Sequence, residues 1–202
     1  MRVLFVLTEH RAGLTGARAR VYERTRRRLE QVAGTEVAAE QYEGVERLQG
    51  ADAVVLSGSF EPWSSHDPDA LARLGDLVRG FDGPLLGICA GMQLQALFAG
   101  GSVARAPAPV ATGFAPVDVV EADGLLRGLP PRISVYHHHG DEITSLPDGF
   151  RALARSATCG VEAIGDAERR WWGTQFHPEA YSPEHPHGER VLRNFFELAG
   201  VS

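Results

Sequence analysis

One cysteine of this chain stands where the backbone could present it as a nucleophile. Cys89 follows the apolar run Pro84–Ile88, precedes a helix-like segment, and has Gly87 and Gly91 two residues away on either side. In a strand-to-helix elbow the nucleophile sits on a sharp turn, and these two flanking positions must be small. The turn would hold the thiol at a helix N-terminus, where the helix dipole favours the thiolate. The segment predicts a catalytic cysteine; a buried structural cysteine is the alternative.

A histidine and a carboxylate downstream could complete a catalytic relay. The aromatic-rich, strand-like run Trp171–Phe176 leads into His177, Pro178 and Glu179. Residues two apart in an extended segment point the same way, and Pro178 keeps His177 out of the helical region. His177 would take the thiol proton and later protonate the leaving amine, while Glu179 would orient the ring. Alone this motif also fits a surface turn; together with the cysteine it predicts a Cys-His-Glu triad.

Four segments of the chain together resemble the class I glutamine amidotransferase domain. They are the elbow Gly87–Leu94, the segment Gln175–Glu179, the strand-like run Val54–Gly58 and the stretch His138–Asp141. The resemblance covers nearly the whole chain. It implies a glutaminase in which a cysteinyl thioester forms on glutamine, ammonia leaves and water releases glutamate. Because the chain has no lysine and no recognisable nucleotide site with which to activate an acceptor, we expect a separate synthetase or transferase to accept the ammonia.

Three further residues fit this chemistry. Gln93 lies four residues after Cys89, so on a helix both side chains share one face, and the amide could bind the substrate glutamine. An ordinary polar helix position is the alternative. For the oxyanion, the elbow offers the backbone N–H of Ala90, and Gly58 after a buried strand is the natural source of a second donor.

The chain departs from the family pattern at the lip of the predicted pocket. The family carries a second glycine and a nearby proline after the oxyanion glycine, whereas this chain has the bulkier segment Ser59–Trp63. The Ala/Pro-rich stretch Ala104–Gly113 gives no residues for the backbone groups of glutamine. Two other functions therefore stay open: a hydrolase of γ-glutamyl amides or peptides with no ammonia acceptor, and a non-catalytic binding subunit.

Length and composition indicate one globular domain over residues 1–202. The chain has 202 residues and 44% hydrophobic content, which suits one sizeable core. The N-terminus enters a strand directly, and no apolar run approaches the ~18 residues of a membrane span. We expect a cytoplasmic protein without membrane contact. In a reducing compartment Cys159 would be a buried free thiol.

The basic residues exclude several kinds of chemistry. All 20 are arginine, so a phosphate-binding loop lysine and a lysine Schiff base with pyridoxal phosphate are impossible. We expect no cofactor, and the net charge of −6 argues against nucleic-acid binding. The arginine-rich segment Arg18–Arg28 is interpreted as a solvated helix face, partly offset by Glu23 and Glu30. A docking surface for an acidic partner is the alternative.

The eight histidines raise the question of a metal site. His137, His138 and His139 are consecutive, but successive strand residues alternate faces and cannot all reach one ion. No carboxylate or cysteine stands at a familiar zinc spacing. We therefore predict no metal and a structural or substrate-loop role for these histidines, with His185 and His187 in a loop before the last helix.

The elements that must position these residues follow an α/β pattern. Strand-like runs alternate with helix-like ones up to residue 98, which predicts a mostly parallel, open, flavodoxin-like sheet with flanking helices. The strand-like runs are 3–7, 36–40, 53–56 and 84–88, the helix-like ones are 17–32, 71–79 and 92–98, and a last amphipathic helix is predicted over 188–198. Five later strand-like runs with short turns predict a partly antiparallel C-terminal portion. In such sheets ligands bind at the carboxyl ends of the strands. Gly58, Cys89 and His177 all follow predicted strand ends.

Overall fold

A nine-stranded sheet forms the centre of the fold, and helices cover both of its faces. The computed structural model describes residues 1–62, 65–107, 112–122 and 124–201. The strands are β1 (Val3–Leu7), β2 (Val37–Gln41), β3 (Ala53–Leu56), β4 (Leu85–Ile88), β5 (Ser102–Arg105), β6 (Gly113–Val119), β7 (Arg132–His137), β8 (Asp141–Ser145), β9 (Arg151–Arg155), β10 (Ala163–Asp166) and β11 (Trp171–Thr174). The helices are α1 (Gly16–Ala33), α2 (Pro68–Arg79), α3 (Ala90–Phe98) and α4 (His187–Ala199).

The strand order in the large sheet is β2-β1-β3-β4-β11-β10-β9-β6-β7. Five neighbouring strands pair in parallel: β2, β1, β3, β4 and β11. The pairs from β11 to β7 are antiparallel. The prediction of an α/β fold with a mostly parallel open sheet and partly antiparallel C-terminal strands is confirmed.

The parallel strands are buried on both faces. Phe5 and Val55 pack in one core cluster with α1 and α4. Their neighbours Val6 and Leu56 point to the other face and pack with α2 and α3. Burial on both sides is why these strands appear in the sequence as continuous apolar runs.

Local signals fix the ends of the helices. Asp67 caps α2 by accepting a hydrogen bond from the N–H of Ala70 (2.9 Å), and Pro68 fits the first turn because it needs no hydrogen-bond acceptor there. Gly34 after α1 (φ 66°) and Gly200 after α4 (φ 72°) adopt the left-handed conformation that ends a helix. None of the helices in the described residues combines the length and apolar character needed to cross a membrane.

Strands β5 and β8 form a separate antiparallel pair that the sequence did not predict. Ile143 is buried, but most residues of the pair are partly or fully exposed, so neither strand carries a strong apolar pattern. The pair matters for the site because β8 begins at Asp141, beside α3. Trp63 of the predicted lip and residues 108–111 of the Ala/Pro-rich stretch lie outside the described residues.

Candidate active site

Cys89 sits on the predicted elbow between β4 and α3. Its backbone has φ 52° and ψ −107°, a strained conformation for a non-glycine residue, and its N–H donates to the carbonyl of Thr174 (2.6 Å). A Cβ at Gly91 would lie 2.4 Å from the carbonyl oxygen of Leu56, and one at Gly87 would lie 2.6 Å from the carbonyl carbon of Gly91. Both glycines are therefore required by close approach of the backbone.

His177 lies between Cys89 and Glu179. Its Nδ1 is 2.8 Å from Oε1 of Glu179, and its backbone N–H donates to the carbonyl of Tyr136 (2.8 Å). Burial alone would lower the pKa of His177, but Glu179 and Cys89 together raise it well above its usual value. A Cβ added at Gly58 would lie 3.1 Å from Cε1 of His177 and 3.5 Å from Cβ of Cys89. Gly58, Cys89 and His177 thus meet at one point, at the carboxyl ends of β3, β4 and β11.

The backbone at Gly58 is held in a fixed orientation. Its carbonyl oxygen accepts hydrogen bonds from the hydroxyls of Ser57 (2.7 Å), Tyr22 (3.1 Å) and Thr8 (3.2 Å). In a trans peptide the N–H points opposite to the carbonyl, so the N–H of Ser59 is directed away from these three hydroxyls. The peptide between Gly58 and Ser59, which lies near the elbow, is therefore held in one orientation.

Two glutamine side chains connect the nucleophile to β8. The Nε2 group of Gln93 donates to the carbonyl of Asp141 (2.8 Å) and to Oε1 of Gln175 (3.1 Å). The amide of Gln175, which is fully buried, donates to Sγ of Cys89 (3.6 Å). Gln93 thus lies beside the nucleophile, with both of its amide hydrogens in protein contacts. The N–H of Ala90, the first residue of α3, has no acceptor within its own helix.

Gln175 received no role of its own from the sequence, where it is only part of the motif before His177. A signal was present, because Gln175 stands two residues before His177 in an extended segment, where both side chains point the same way.

Two pockets adjoin the triad. The smaller, about 50 Å³, is lined by Ser59, Glu61, Cys89, Ala90, Gln93, His138, His139, Gly140 and Asp141. This volume holds a few water molecules and not a whole glutamine. The larger pocket, about 500 Å³, opens on the other side of His177 and has an aromatic wall of Phe5, Tyr22, Phe60, Phe114 and Tyr136.

The lip of the small pocket is tied to α1. The N–H of Phe60 donates to the buried carboxylate of Glu9 (2.8 Å). Arg18 of α1 forms an ion pair with Glu61, and its guanidinium lies 5.4 Å from the centre of the Phe60 ring. The Phe60 ring itself is 6.0 Å from that of His138. The bulky lip expected from the sequence is therefore connected to the first helix.

The second cysteine lies outside this constellation. Cys159 is buried, and its Sγ is 3.3 Å from the carbonyl oxygen of Val161. Burial raises the pKa of Cys159, and the nearby carboxylate of Glu162 raises it further. This thiol is therefore held in its protonated form.

The arginines of α1 are offset by acidic neighbours, as expected from the sequence. Arg26 pairs with Glu23 and Glu30, and Arg27 pairs with Glu23.

The consecutive histidines separate in the structure. His138 is exposed at the lip, whereas His137 and Glu162 are buried and the half-buried His139 lies beside them. Burial lowers the pKa of His137 to about 4 and raises the pKa of Glu162 to about 7. The nearness of Glu162, distant in sequence, was not foreseen. His185 stacks on Phe114, with ring centres 3.9 Å apart.

The geometry is that of an α/β protein with a cysteine on a strand-to-helix elbow and a histidine–carboxylate pair beside it. The profile of the family described as glutamine amidotransferase class-I matches residues 12–199. The chain therefore belongs to the class I glutamine amidotransferase family.

Individual relatives agree with this membership. The glutamine-hydrolysing GMP synthase subunit of Pyrococcus abyssi is 43% identical over 120 residues, which are 59% of this chain and 62% of that protein. The subunit of the same name from Methanothrix thermoacetophila is 39% identical over 150 residues, 73% of this chain and 77% of that protein. The crystal structure of a protein described as a GMP synthase subunit from Thermoplasma acidophilum has a TM-score of 0.81 at 32% identity, and the match covers 99% of this chain and 94% of that one.

Proposed function

We propose that this chain, as one glutaminase domain, hydrolyses the side-chain amide of glutamine and supplies the ammonia to a separate synthetase subunit. The observation that carries the proposal is the meeting of Cys89 and His177 against Gly58, with Glu179 2.8 Å behind the imidazole. Family membership supports the same chemistry.

The proposed reaction begins with attack by Sγ of Cys89 on the amide carbon of glutamine. His177 holds the proton taken from the thiol and delivers it to the nitrogen, so that ammonia leaves and a thioester remains. Neutral His177 then accepts a proton from water, whose oxygen displaces the thiolate and releases glutamate. Glu179 keeps the ring in the orientation that both transfers need.

The oxyanion of each tetrahedral intermediate would be bound beside the elbow. We assign its donors to the N–H of Ala90 and to the backbone at Gly58, whose peptide is fixed by its hydrogen-bonded carbonyl. Such donors typically lower the barrier by roughly 2.7 to 4 kcal/mol each. Gln93 would form the wall on which glutamine rests, next to Cys89.

The names of the relatives suggest the acceptor. These relatives are named as the glutamine-hydrolysing component of GMP synthase. We propose that this chain likewise serves GMP synthesis, with its ammonia passed to a synthetase subunit encoded elsewhere.

Replacing each cysteine in turn tests the nucleophile. We expect Cys89→Ala to abolish glutamine hydrolysis and covalent labelling by a glutamine-like electrophile, because no other thiol faces the pocket in the described residues. Cys159→Ala, the matched control, should retain both. Labelling that persists in Cys89→Ala, measured by intact-protein mass spectrometry, would refute the assignment.

The larger pocket supports a second candidate function, the hydrolysis of γ-glutamyl compounds. Its volume of about 500 Å³ and its aromatic wall beside His177 would accommodate the leaving amine of a γ-glutamyl compound larger than ammonia. Comparing kcat/KM for glutamine with that for a panel of γ-glutamyl amines and peptides separates the two. A strong preference for the larger substrates would favour the hydrolase.

A further inference from the structure

Behind the small pocket lies a group of buried polar atoms without partners. Among the described residues, Nε2 of His137, Nε2 of His139, Oε2 of Glu142 and both carboxylate oxygens of Glu162 are buried and form no hydrogen bond. His137 is 2% exposed and Glu162 is fully buried. Leaving one buried polar group unsatisfied costs about 1–3 kcal/mol, and more for a charged one. Three of these side chains, those of His137, His139 and Glu162, lie in one place, and their unpaired atoms require an explanation.

The geometry of the group is that of a set of metal ligands. One ligand atom each from His137, His139 and Glu162 lie within 4.8 Å of one another. Nδ1 of His139 lies 3.2 Å from the carbonyl of Asp141, which orients the ring and leaves Nε2 as the free lone pair. His137 and Glu162 do not satisfy each other, because Nδ1 and Oε1 are 3.7 Å apart, beyond hydrogen-bond distance.

We propose that His137, His139 and Glu162 bind one divalent transition-metal ion, and that Zn²⁺ is the ion their donors fit best. Two imidazole nitrogens and one carboxylate oxygen form a set that zinc accepts at bond lengths of about 2.0–2.2 Å. Tetrahedral bonds of that length bring ligand atoms to about 3.3–3.6 Å from one another, so the three groups need to move together by roughly an ångström or less. Water takes the fourth position.

The ion would hold one wall of the small pocket in a fixed position. His138 stands between the two histidine ligands in the sequence, and its carbonyl oxygen lies 3.7 Å from Sγ of Cys89. Immediately after them, the carbonyl of Asp141 accepts the hydrogen bond of Gln93. Fixing the rings of His137 and His139 to Glu162, which directly precedes β10, therefore fixes the segment that closes over the nucleophile.

The test is the zinc content of the untagged full chain after purification with Zn²⁺ and desalting, measured by elemental mass spectrometry. We expect about one equivalent per chain, a higher melting temperature with Zn²⁺ than with EDTA, and an intense visible absorption when Co²⁺ replaces Zn²⁺. Glu162→Gln and His137→Gln should each lower the retained zinc at least tenfold. His138→Ala is the matched control from the same histidine run and should retain it.

The catalytic cysteine is a competing zinc ligand, so the measurement is repeated in Cys89→Ala. Retention of one equivalent there supports the buried site, and loss of the zinc would place it at the triad and overturn the proposal. No stoichiometric zinc in the wild type, or zinc unaffected by the ligand variants, would also overturn it. Circular dichroism checks that each variant is folded, and His139→Gln provides a third ligand variant if one of the others is not.

Discussion

At the scale of single residues, the chemistry depends on the charge of His177. Burial opposes protonation of the imidazole, but Glu179 and Cys89 outweigh it and raise the pKa of His177 well above its usual value. In the proposed reaction this ring holds the proton that the thiol gives up when sulfur attacks the amide carbon. The carboxylate therefore acts on the nucleophile through the ring between them.

Removing the negative charge of Glu179 should show this coupling. In Glu179→Gln we expect the pKa of His177 to fall, so that the ring loses its proton at a lower pH than in the wild type. Alkylation of Cys89 by iodoacetamide at pH 6 to 7 should slow, and glutamine turnover should fall by less than in Cys89→Ala. Histidine proton chemical shifts against pH report the pKa directly. An unchanged titration together with full activity would reduce the triad to a dyad.

Gln175 donates a hydrogen bond to Sγ of Cys89, and its replacement shows whether this contact contributes to catalysis or only to packing. A hydrogen bond to a charged group is worth about 1.5–3 kcal/mol, so losing the one to Sγ in Gln175→Met should lower kcat/KM by roughly 10- to 100-fold. Gln175→Glu keeps the size but adds a negative charge beside the thiolate. It should move the onset of Cys89 alkylation to higher pH.

The exposed Gln49 supplies the matched control for this series. Gln49→Ala should leave kcat/KM and the alkylation profile unchanged. If Gln175→Glu alkylates with the wild-type pH profile, Gln175 serves packing only.

The arrangement of the three triad residues was predictable from the sequence because each has a local reason to stand where it does. Glycines mark the elbow of Cys89, and a proline holds His177 and Glu179 on one side of an extended segment. The partners of Gln93 and the nearness of Glu162 to His137 were not predictable. Those contacts join residues tens of positions apart that different strands bring together, and no local pattern records them.

At the scale of elements, the elbow between β4 and α3 depends on backbone contact. We expect Gly91→Ala to destabilise the protein by roughly 1–3 kcal/mol, because its Cβ would meet the carbonyl of Leu56 at 2.4 Å and something must move. Urea unfolding measures the loss. Gly160→Ala is the control, since a Cβ there would meet nothing within 4 Å. Equal stability of the two variants would contradict the close-packed elbow.

The elements themselves were predictable to different degrees. The strands with apolar residues on both faces, such as β1 and β3, were placed to the residue, and the helices to within a few residues. Strands β5 and β8 were not predicted from the sequence, because they are short and largely exposed to solvent. Their pairing depends on the position of α3 beside them and not on an apolar pattern of their own.

At the scale of the whole molecule, the small pocket bears on how the chain works with a partner. The pocket is narrow, with a volume of about 50 Å³, and its lip is held to α1 through Arg18 and to the core through Glu9. A protein that docks on the face bearing the strand ends would contact this lip directly. Docking could therefore open the pocket and couple glutamine hydrolysis to the presence of an acceptor.

We accordingly expect low glutaminase activity of the isolated chain and a rise of at least tenfold on adding the synthetase subunit. The rate of glutamate release from glutamine, measured with and without that subunit, gives the size of this rise. In the complex, amination driven by glutamine should require Cys89, whereas amination driven by added ammonium should not. Full activity of the isolated chain, without complex formation, would contradict this expectation.

The order of the strands has a further consequence, for folding kinetics. β4 pairs with β11, so Cys89 and His177 meet only after a loop of more than eighty intervening residues has closed. Contacts of such long sequence separation form slowly, because the chain entropy is lost before the contact stabilises anything. During refolding, therefore, helical structure should return well before the thiol becomes reactive towards a glutamine analogue. We therefore expect the candidate catalytic site to be among the last parts of this molecule to form.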